Sequence, residues 1–244
     1  MKKKYIANIQ KKVIKTIARL QLIEKYDVVL IGVSGGKDSM VLLDILGRKK
    51  VLFPFQFTLK AIHVETDLDL YKMDVDFIAR LCNELDVEFI KEQISFSPDN
   101  SGEKSTCFLC SWNRRKKLFD MTRELKCNKL AMGHHMNDAV ESLLMNMMYH
   151  GSISSLPHKL SMFGGRIHLI RPLLELTESQ INDYALESEF PGSLKDCPFA
   201  DITKRKAMKD LIKEMEQIHP LAVKNIFRSA GKIFPEYLPE NRKK

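Results

Sequence analysis

Three short stretches of this chain carry residues that can do chemistry. The first, Ser34-Gly35-Gly36-Lys37-Asp38-Ser39, joins an apolar, β-branched run (28–33) to a stretch of helical length with an apolar face (40–46). Two glycines let a backbone approach a ligand closely, and a helix start presents unpaired N–H groups to an anion. A strand, a glycine turn and a helix start in that order make a phosphate cradle; the competing reading is an ordinary tight turn that uses glycine for shape. The Walker pattern requires Ser or Thr directly after its Lys, where Asp38 stands here, and the dinucleotide pattern G-x-G-x-x-G is absent from the turn.

The second stretch is Cys107-Phe108-Leu109-Cys110, followed at once by Ser111-Trp112-Asn113-Arg114-Arg115-Lys116-Lys117. Two thiols at this spacing can share one metal ion or cluster edge. A metal pair, a redox pair and coincidence all remain open, although a redox pair needs a thioredoxin-like context that is missing. The block Arg114, Arg115, Lys116 is either a solvated face or a track for phosphates passing close by. The third stretch is Gly133-His134-His135-Met136-Asn137-Asp138. Asp138 and Glu141 have the spacing of a capping box, so Asp138 reads as an N-cap, which does not exclude a role at a ligand crevice. His134 and His135 are packing residues or site residues.

Alternating strands and helices must position these stretches. Strand signals recur at 28–33, 58–64, 87–94, 129–132 and 167–170, with helical patterns over 40–46, 75–85 and 139–149 between them. That order predicts βαβ units: an α/β fold with a parallel five-stranded sheet flanked by helices and a ligand site at the carboxyl ends of the strands. His63 stands at such an end. Residues 95–106 read as an exposed loop, and 151–165 as a connection rich in breakers. Thr177 and Gln180 form a capping box for a helix reaching about Glu189, and a basic helix carries Lys204 to Lys213. The expected division is a basic N-terminal helix (1–25), the sheet domain (26–175) and a C-terminal helical extension (176–244).

In that N-terminal helix Ile6, Ile9, Val13, Ile17 and Leu20 share one face, and no acid precedes Glu24. Lys11, Lys12 and Lys15 therefore read as a phosphate-contacting surface for RNA, against the alternative of a solvated face. The formal net charge of +8 over 244 residues fits a polyanionic partner. Five cysteines form an odd set, favouring a reducing compartment and metal or catalytic use over disulfides. No apolar run is long enough to span a membrane, and no apolar stretch follows the N-terminal lysines, so a cytoplasmic protein without a membrane partner is expected.

Ser34 to Ser39 resembles the PP-loop, S-G-G-x-D-S, of the ATP pyrophosphatase superfamily, whose fold is adenine nucleotide alpha-hydrolase-like. Gly133 to Asp138 resembles that superfamily's G-H-x-x-D-D, with Asn137 in place of the first Asp. Arg171-Pro172-Leu173 is a third match. The resemblance implies ATP held by Ser34, Gly35, Gly36, Lys37, Asp38, Ser39, His63, Gly133 and Asp138, with Mg²⁺ on Asp38 and Asp138. With Cys107, Cys110, the Arg pair and a lone late Cys197 added, most of the chain looks like the tRNA 2-thiocytidine synthetase family. That implies a [4Fe–4S] cluster on Cys107, Cys110 and Cys197, and catalysis by these cysteines and Asp38. It also implies tRNA as partner, a sulfur donor such as a cysteine desulfurase, and room for a homodimer. The family often has a second Cys soon after the late one, and this chain has none. Cys82 and Cys127 match nothing and read as small buried hydrophobes. A lysidine-type synthetase shares the cradle but not the cysteines, an amidotransferase-type synthetase needs an ammonia source that is not visible, and a zinc-bearing RNA-binding protein leaves the loop without a role.

Overall fold

The elements alternate as the periodicity requires. In a computed structural model, which describes residues 2–66, 72–96, 106–192, 194 and 204–237, they are α1 (Lys2–Arg19), β1 (Val28–Gly32), α2 (Lys37–Lys49), β2 (Thr58–Thr66), α3 (Val75–Glu84), β3 (Glu88–Ile94), α4 (Thr106–Glu124), β4 (Lys129–Ala131), α5 (Met136–His150), β5 (Lys159–Met162), β6 (Ile167–Ile170), α6 (Glu178–Glu187), α7 (Lys204–Ile218) and α8 (Ala222–Ser229). The chain divides into two units, Met1–His135 with Pro157–Ile202, and Met136–Leu156 with Thr203–Lys244.

All six strands lie in the first unit, in the order β3-β2-β1-β4-β6-β5. β1, β2, β3, β4 and β6 run parallel, with Gly32 beside Ile62 and Ile31 beside Ala131. From β1 the chain first builds outward through β2 and β3, then returns to the other side of β1 as β4. The crevice at the carboxyl ends of β1 and β4 is therefore the topological switch point, where such sheets bind ligands. The sheet has one strand beyond the five expected. Residues 159–162 pair antiparallel with β6, and their half-exposed mixture of Lys, Leu, Ser and Met carries no clear alternation. The turn that closes this hairpin places Phe163, Gly164 and Gly165 at positive φ.

Side-chain alternation along β1 serves two cores. Val29 and Ile31 face Ile9, Val13 and Ile17 of α1 together with Val41, Leu42 and Ile45 of α2, while Leu30 joins Ile62, Val64, Leu118, Met121, Leu130 and Leu169 on the α4 side. The three α1 side chains are at most 1% exposed, and each such burial contributes about 1.5–3 kcal/mol. Under α1 a polar network is also buried: Tyr184 donates its hydroxyl to Asp44 at 2.6 Å and accepts from Gln10 Nε2 at 2.8 Å, while Arg48 Nε donates to Asp44 at 2.6 Å. The capping box at Thr177 and Gln180 is present and starts α6.

In the second unit α5 packs with α7 and α8 through Met136, Val140, Ile212 and Val223. α5 begins at Met136, so Asp138 lies within its first turn and is not the N-cap suggested by its spacing to Glu141. Among the described residues, no helix is long and apolar enough to cross a membrane.

Candidate functional site

The loop after β1 runs through two glycines into the start of α2. Gly35 sits at φ +86°, a region that L side chains rarely adopt, and a Cβ there would also meet Met73 at 2.8 Å. Gly36 is the N-cap of α2, in extended conformation and without a side-chain cap, so no capping side chain stands between a ligand and the positive end of the helix dipole. Ser34 and Ser39 lock the turn: their hydroxyls lie 3.2 Å apart, Ser39 Oγ donates to the Gly36 carbonyl at 2.8 Å, and the Gly36 amide donates to Ser34 Oγ at 3.3 Å. Lys37 Nζ stands 3.6 Å from Asp38 and 3.5 Å from Glu178. These are long, half-exposed ion pairs, of the kind worth little by themselves.

Around this loop the neighbouring strand ends close in. Val33 donates its amide to the Ile62 carbonyl at 2.8 Å. His63 Nδ1 is 2.7 Å from the Val33 carbonyl, which can only accept, so that nitrogen carries the proton. Burial, at 1% exposure, pushes the His63 pKa down; its bond to Val33 opposes that shift and the Arg114 charge reinforces it. His63 is thus a neutral strut that fixes the residue from which the loop departs. On the other side, Gly133 after β4 abuts the backbone of Asp38 and Ser39, and His135 Nε2 lies 3.8 Å from Asp38 Oδ1.

α4 brings the thiols to the same region. Cys107 and Cys110 occupy its first turns, one exposed and one half-buried, where the dipole favours negative charge. The loop expected over 95–106 gives way to helix at Thr106, so both cysteines are helical. Further along α4, Ser111, Arg114, Arg115 and Leu118 line a cavity of about 180 Å³ together with Gly32, Val33, Ser34, Ile62, Val64 and Met132. It is smaller than the roughly 300 Å³ at which pockets take drug-sized ligands. Among the described residues, no three His, Cys, Asp or Glu side chains gather in a metal-holding group. Cys197 lies outside the described residues, and Asp138 belongs to the second unit.

Two participants were not assigned from sequence. Arg171, at the end of β6, is 5% exposed; its Nη1 donates to the Pro157 carbonyl at 2.7 Å and its Nε has no hydrogen-bond partner among the described residues. Burial, reinforced by the Arg115 charge, lowers its pKa to about 10. A buried guanidinium with an unpartnered Nε, under the charge of a second one, is a place for an anion. The signal was present as Arg171-Pro172-Leu173, but only burial gives it a role. Glu175 is the other. It organises the basic face of α1, where Lys12 Nζ donates to its carbonyl at 2.7 Å, Thr16 Oγ1 to its carboxylate at 2.9 Å, and Arg19 pairs with it. Lys11 and Lys15 stay exposed on the rim of the same groove, of about 570 Å³.

The PP-loop domain family matches residues 6–191 of this chain. A tRNA-cytidine(32) 2-sulfurtransferase from Polynucleobacter necessarius subsp. necessarius is 34% identical over 225 residues, covering 89% of this chain and 73% of that protein. The protein of the same name from Geotalea uraniireducens is 31% identical over 246 residues, covering 97% of this chain and 95% of its own. Among solved structures, the U34-tRNA thiolase NcsA from Methanococcus maripaludis, with its [4Fe-4S] cluster, superposes with a TM-score of 0.78 at 26% identity, over 98% of this chain and 81% of that one.

Proposed function

The chain belongs to the PP-loop domain family, among relatives that thiolate tRNA, and from that premise we propose that it sulfurates the cytidine at position 32 of tRNA at the expense of ATP. The observation that carries this reading is a shared cavity: Ser34 of the phosphate-binding loop lines it together with Ser111, Arg114 and Arg115, which follow the cysteine pair on α4. The loop and the helix that carries the cysteine pair thus share one cavity wall, with Ser111 one residue beyond Cys110.

The chemistry assigns each part a task. The cytosine C2 oxygen attacks the α-phosphorus of ATP, forming a P–O bond as the bond to the β-phosphate oxygen breaks, and pyrophosphate leaves. Amide donors of the loop and of the α2 start, with Ser34, Ser39 and Lys37, hold the phosphates. They stabilise the charge that develops on the leaving group, without reorganising. Arg115 and buried Arg171 offer guanidinium groups to a further anion. Asp38, at the head of α2, offers a carboxylate to Mg²⁺. Sulfide then adds at C2 and AMP departs with the original oxygen.

Cys107 and Cys110 fit two positions of a [4Fe–4S] cluster: thiols at i and i+3 share a helix face, and a helix start tolerates the negative charge of thiolates bound to iron. Cys197 is the proposed third ligand. A cluster held by these three thiolates would have one iron without a protein ligand, and the chemistry it would supply is delivery of sulfide to the activated carbon. A cysteine desulfurase as sulfur source, a cytoplasmic location and a homodimer belong to the same proposal.

The test is anaerobic incubation of reconstituted protein with ATP, a sulfide source and unmodified tRNA, followed by mass spectrometry of the digested RNA. Expected are 2-thiocytidine at position 32, with AMP and pyrophosphate released in equal amounts. Asp38→Ala should abolish pyrophosphate release. Sulfur on another nucleotide would reassign the substrate, and unchanged turnover of a folded Asp38→Ala protein would remove the loop from the mechanism.

A further inference from the structure

Along the first twelve residues of α4 (106–117) the exposed positions are Cys107, Phe108, Ser111, Trp112, Arg115 and Lys116. They fall into two adjacent rows at i, i+4, i+8, one of Cys107, Ser111 and Arg115 and the other of Phe108, Trp112 and Lys116. The rings of Phe108 and Trp112 are 49% and 55% exposed, lie 13° from parallel and have centroids 6.3 Å apart. Two large rings held parallel, one turn apart on a helix, offer solvent a flat apolar step. Beside that step stand a thiol and two cations, Arg115 and Lys116.

We infer that Phe108 and Trp112 form a stacking platform for unpaired bases of the RNA substrate, which holds the loop next to the target nucleotide beside the cysteine pair. The inference rests on the tRNA reading above. Several properties of the patch favour nucleobases. Bases stack on parallel aromatic faces irrespective of sequence, and the flanking cations meet the phosphates on either side. An apolar protein surface would gain less, because the cations at the edge of the patch would have to be desolvated. A duplex is a poor occupant, since its bases are already stacked on each other.

Trp112 is the only tryptophan in the chain, so its fluorescence reports on the platform alone. The experiment titrates the full protein with a synthetic anticodon stem-loop RNA, and separately with a blunt duplex of equal length. RNA affinity is measured independently by filter binding. Saturable quenching by the stem-loop at the concentration where it binds, with little quenching by the duplex, is expected. Trp112→Ala and Phe108→Ala should weaken stem-loop binding roughly 5- to 100-fold each, the loss of one stacked base, and Trp112→Phe should recover part of it. Circular dichroism of both variants should match wild type, which separates a lost platform from a lost fold. If the stem-loop binds without quenching and Trp112→Ala binds as well as wild type, the platform is wrong and the tRNA reading stands. If no RNA binds at all, both fail. Emission that changes with protein concentration alone would assign the rings to a second copy of the chain, and would also overturn the inference.

Discussion

Gly133 leaves no room for a side chain against Asp38. A Cβ at Gly133 would stand 2.9 Å from the carbonyl carbon and oxygen of Asp38, and as close to the amide nitrogen of Ser39. The obstacle is backbone, which cannot rotate aside. The end of β4 is therefore pressed against the first turn of α2, and the position of the phosphate-binding loop depends on a missing side chain in a different strand.

Gly133→Ala should consequently displace the loop and leave the sheet intact. A shift of about 1 Å in a reacting group can cost on the order of 100-fold in rate. We expect ATP-dependent pyrophosphate release to fall by about that factor, while thermal unfolding changes by only a few degrees. Wild-type turnover in Gly133→Ala would mean that the loop tolerates displacement and does not position the phosphates.

The outline of this relationship was legible in the sequence, and its cause was not. Glycines, serines and an aspartate at a strand-to-helix junction identify the loop because few other purposes need that combination. The β-branched runs identify the parallel strands because such strands are buried on both faces. Nothing local says that Gly133 touches Asp38, that His63 turns its ring into the Val33 carbonyl, or that Arg171 is buried. Those are consequences of strand order, which brings together residues such as Gly133 and Asp38 that lie far apart in the sequence. The edge strand 159–162 escaped notice because a short edge strand with one solvated face carries little pattern. Lys12 shows the same limit in a different way: its charge reads as a partner for phosphate, yet its ammonium group is engaged by the Glu175 carbonyl.

His63 also makes stability depend on pH. Its pKa is lowered in the folded protein by burial, from an ordinary value near 6.5. His158 is lowered too, again chiefly by burial. The unfolded chain therefore takes up protons before the folded one does, and stability falls as protons are added. The contribution is complete above pH 6.5 and is lost as pH falls through the ordinary histidine range towards the lowered folded values. His63→Asn keeps an N–H donor near Val33 but cannot titrate. Urea unfolding at neutral and mildly acidic pH should show a smaller acid loss for His63→Asn than for wild type. Equal losses would show that His63 is not a source of the pH dependence.

The basic face of α1 makes a graded prediction about RNA. Lys11 and Lys15 are exposed, whereas Lys12 is tied to Glu175. Replacing Lys11 and Lys15 together with Gln should weaken tRNA binding and lower the slope of log affinity against log salt by about 1–2, since each phosphate contact releases counterions. Lys12→Gln should instead lower thermal stability slightly and leave the salt slope nearly unchanged. If the double variant keeps both its affinity and its slope, α1 is a packing element only, and the RNA path lies elsewhere.

Cys197 decides between an iron–sulfur cluster and zinc. Cys107 and Cys110 lie in adjoining turns of one helix, and two thiols complete neither site. A structural zinc site would close with four protein ligands, taking a further Cys or His. A sulfur-transfer cluster needs only one more thiolate, and Cys197 is the cysteine left for it. Cys82 and Cys127 are buried, and burial raises each thiol to a pKa of about 11, which disfavours the thiolate a metal needs. In protein prepared without oxygen, Cys197→Ala should lose or degrade the visible charge-transfer absorption and abolish thiolation, while ATP still binds. Cys82→Ala and Cys127→Ala should keep both cluster and activity. An intact cluster and full thiolation in Cys197→Ala would sink the assignment. Stoichiometric zinc without iron, in protein that releases no pyrophosphate, would instead point to a structural metal in an RNA-binding protein.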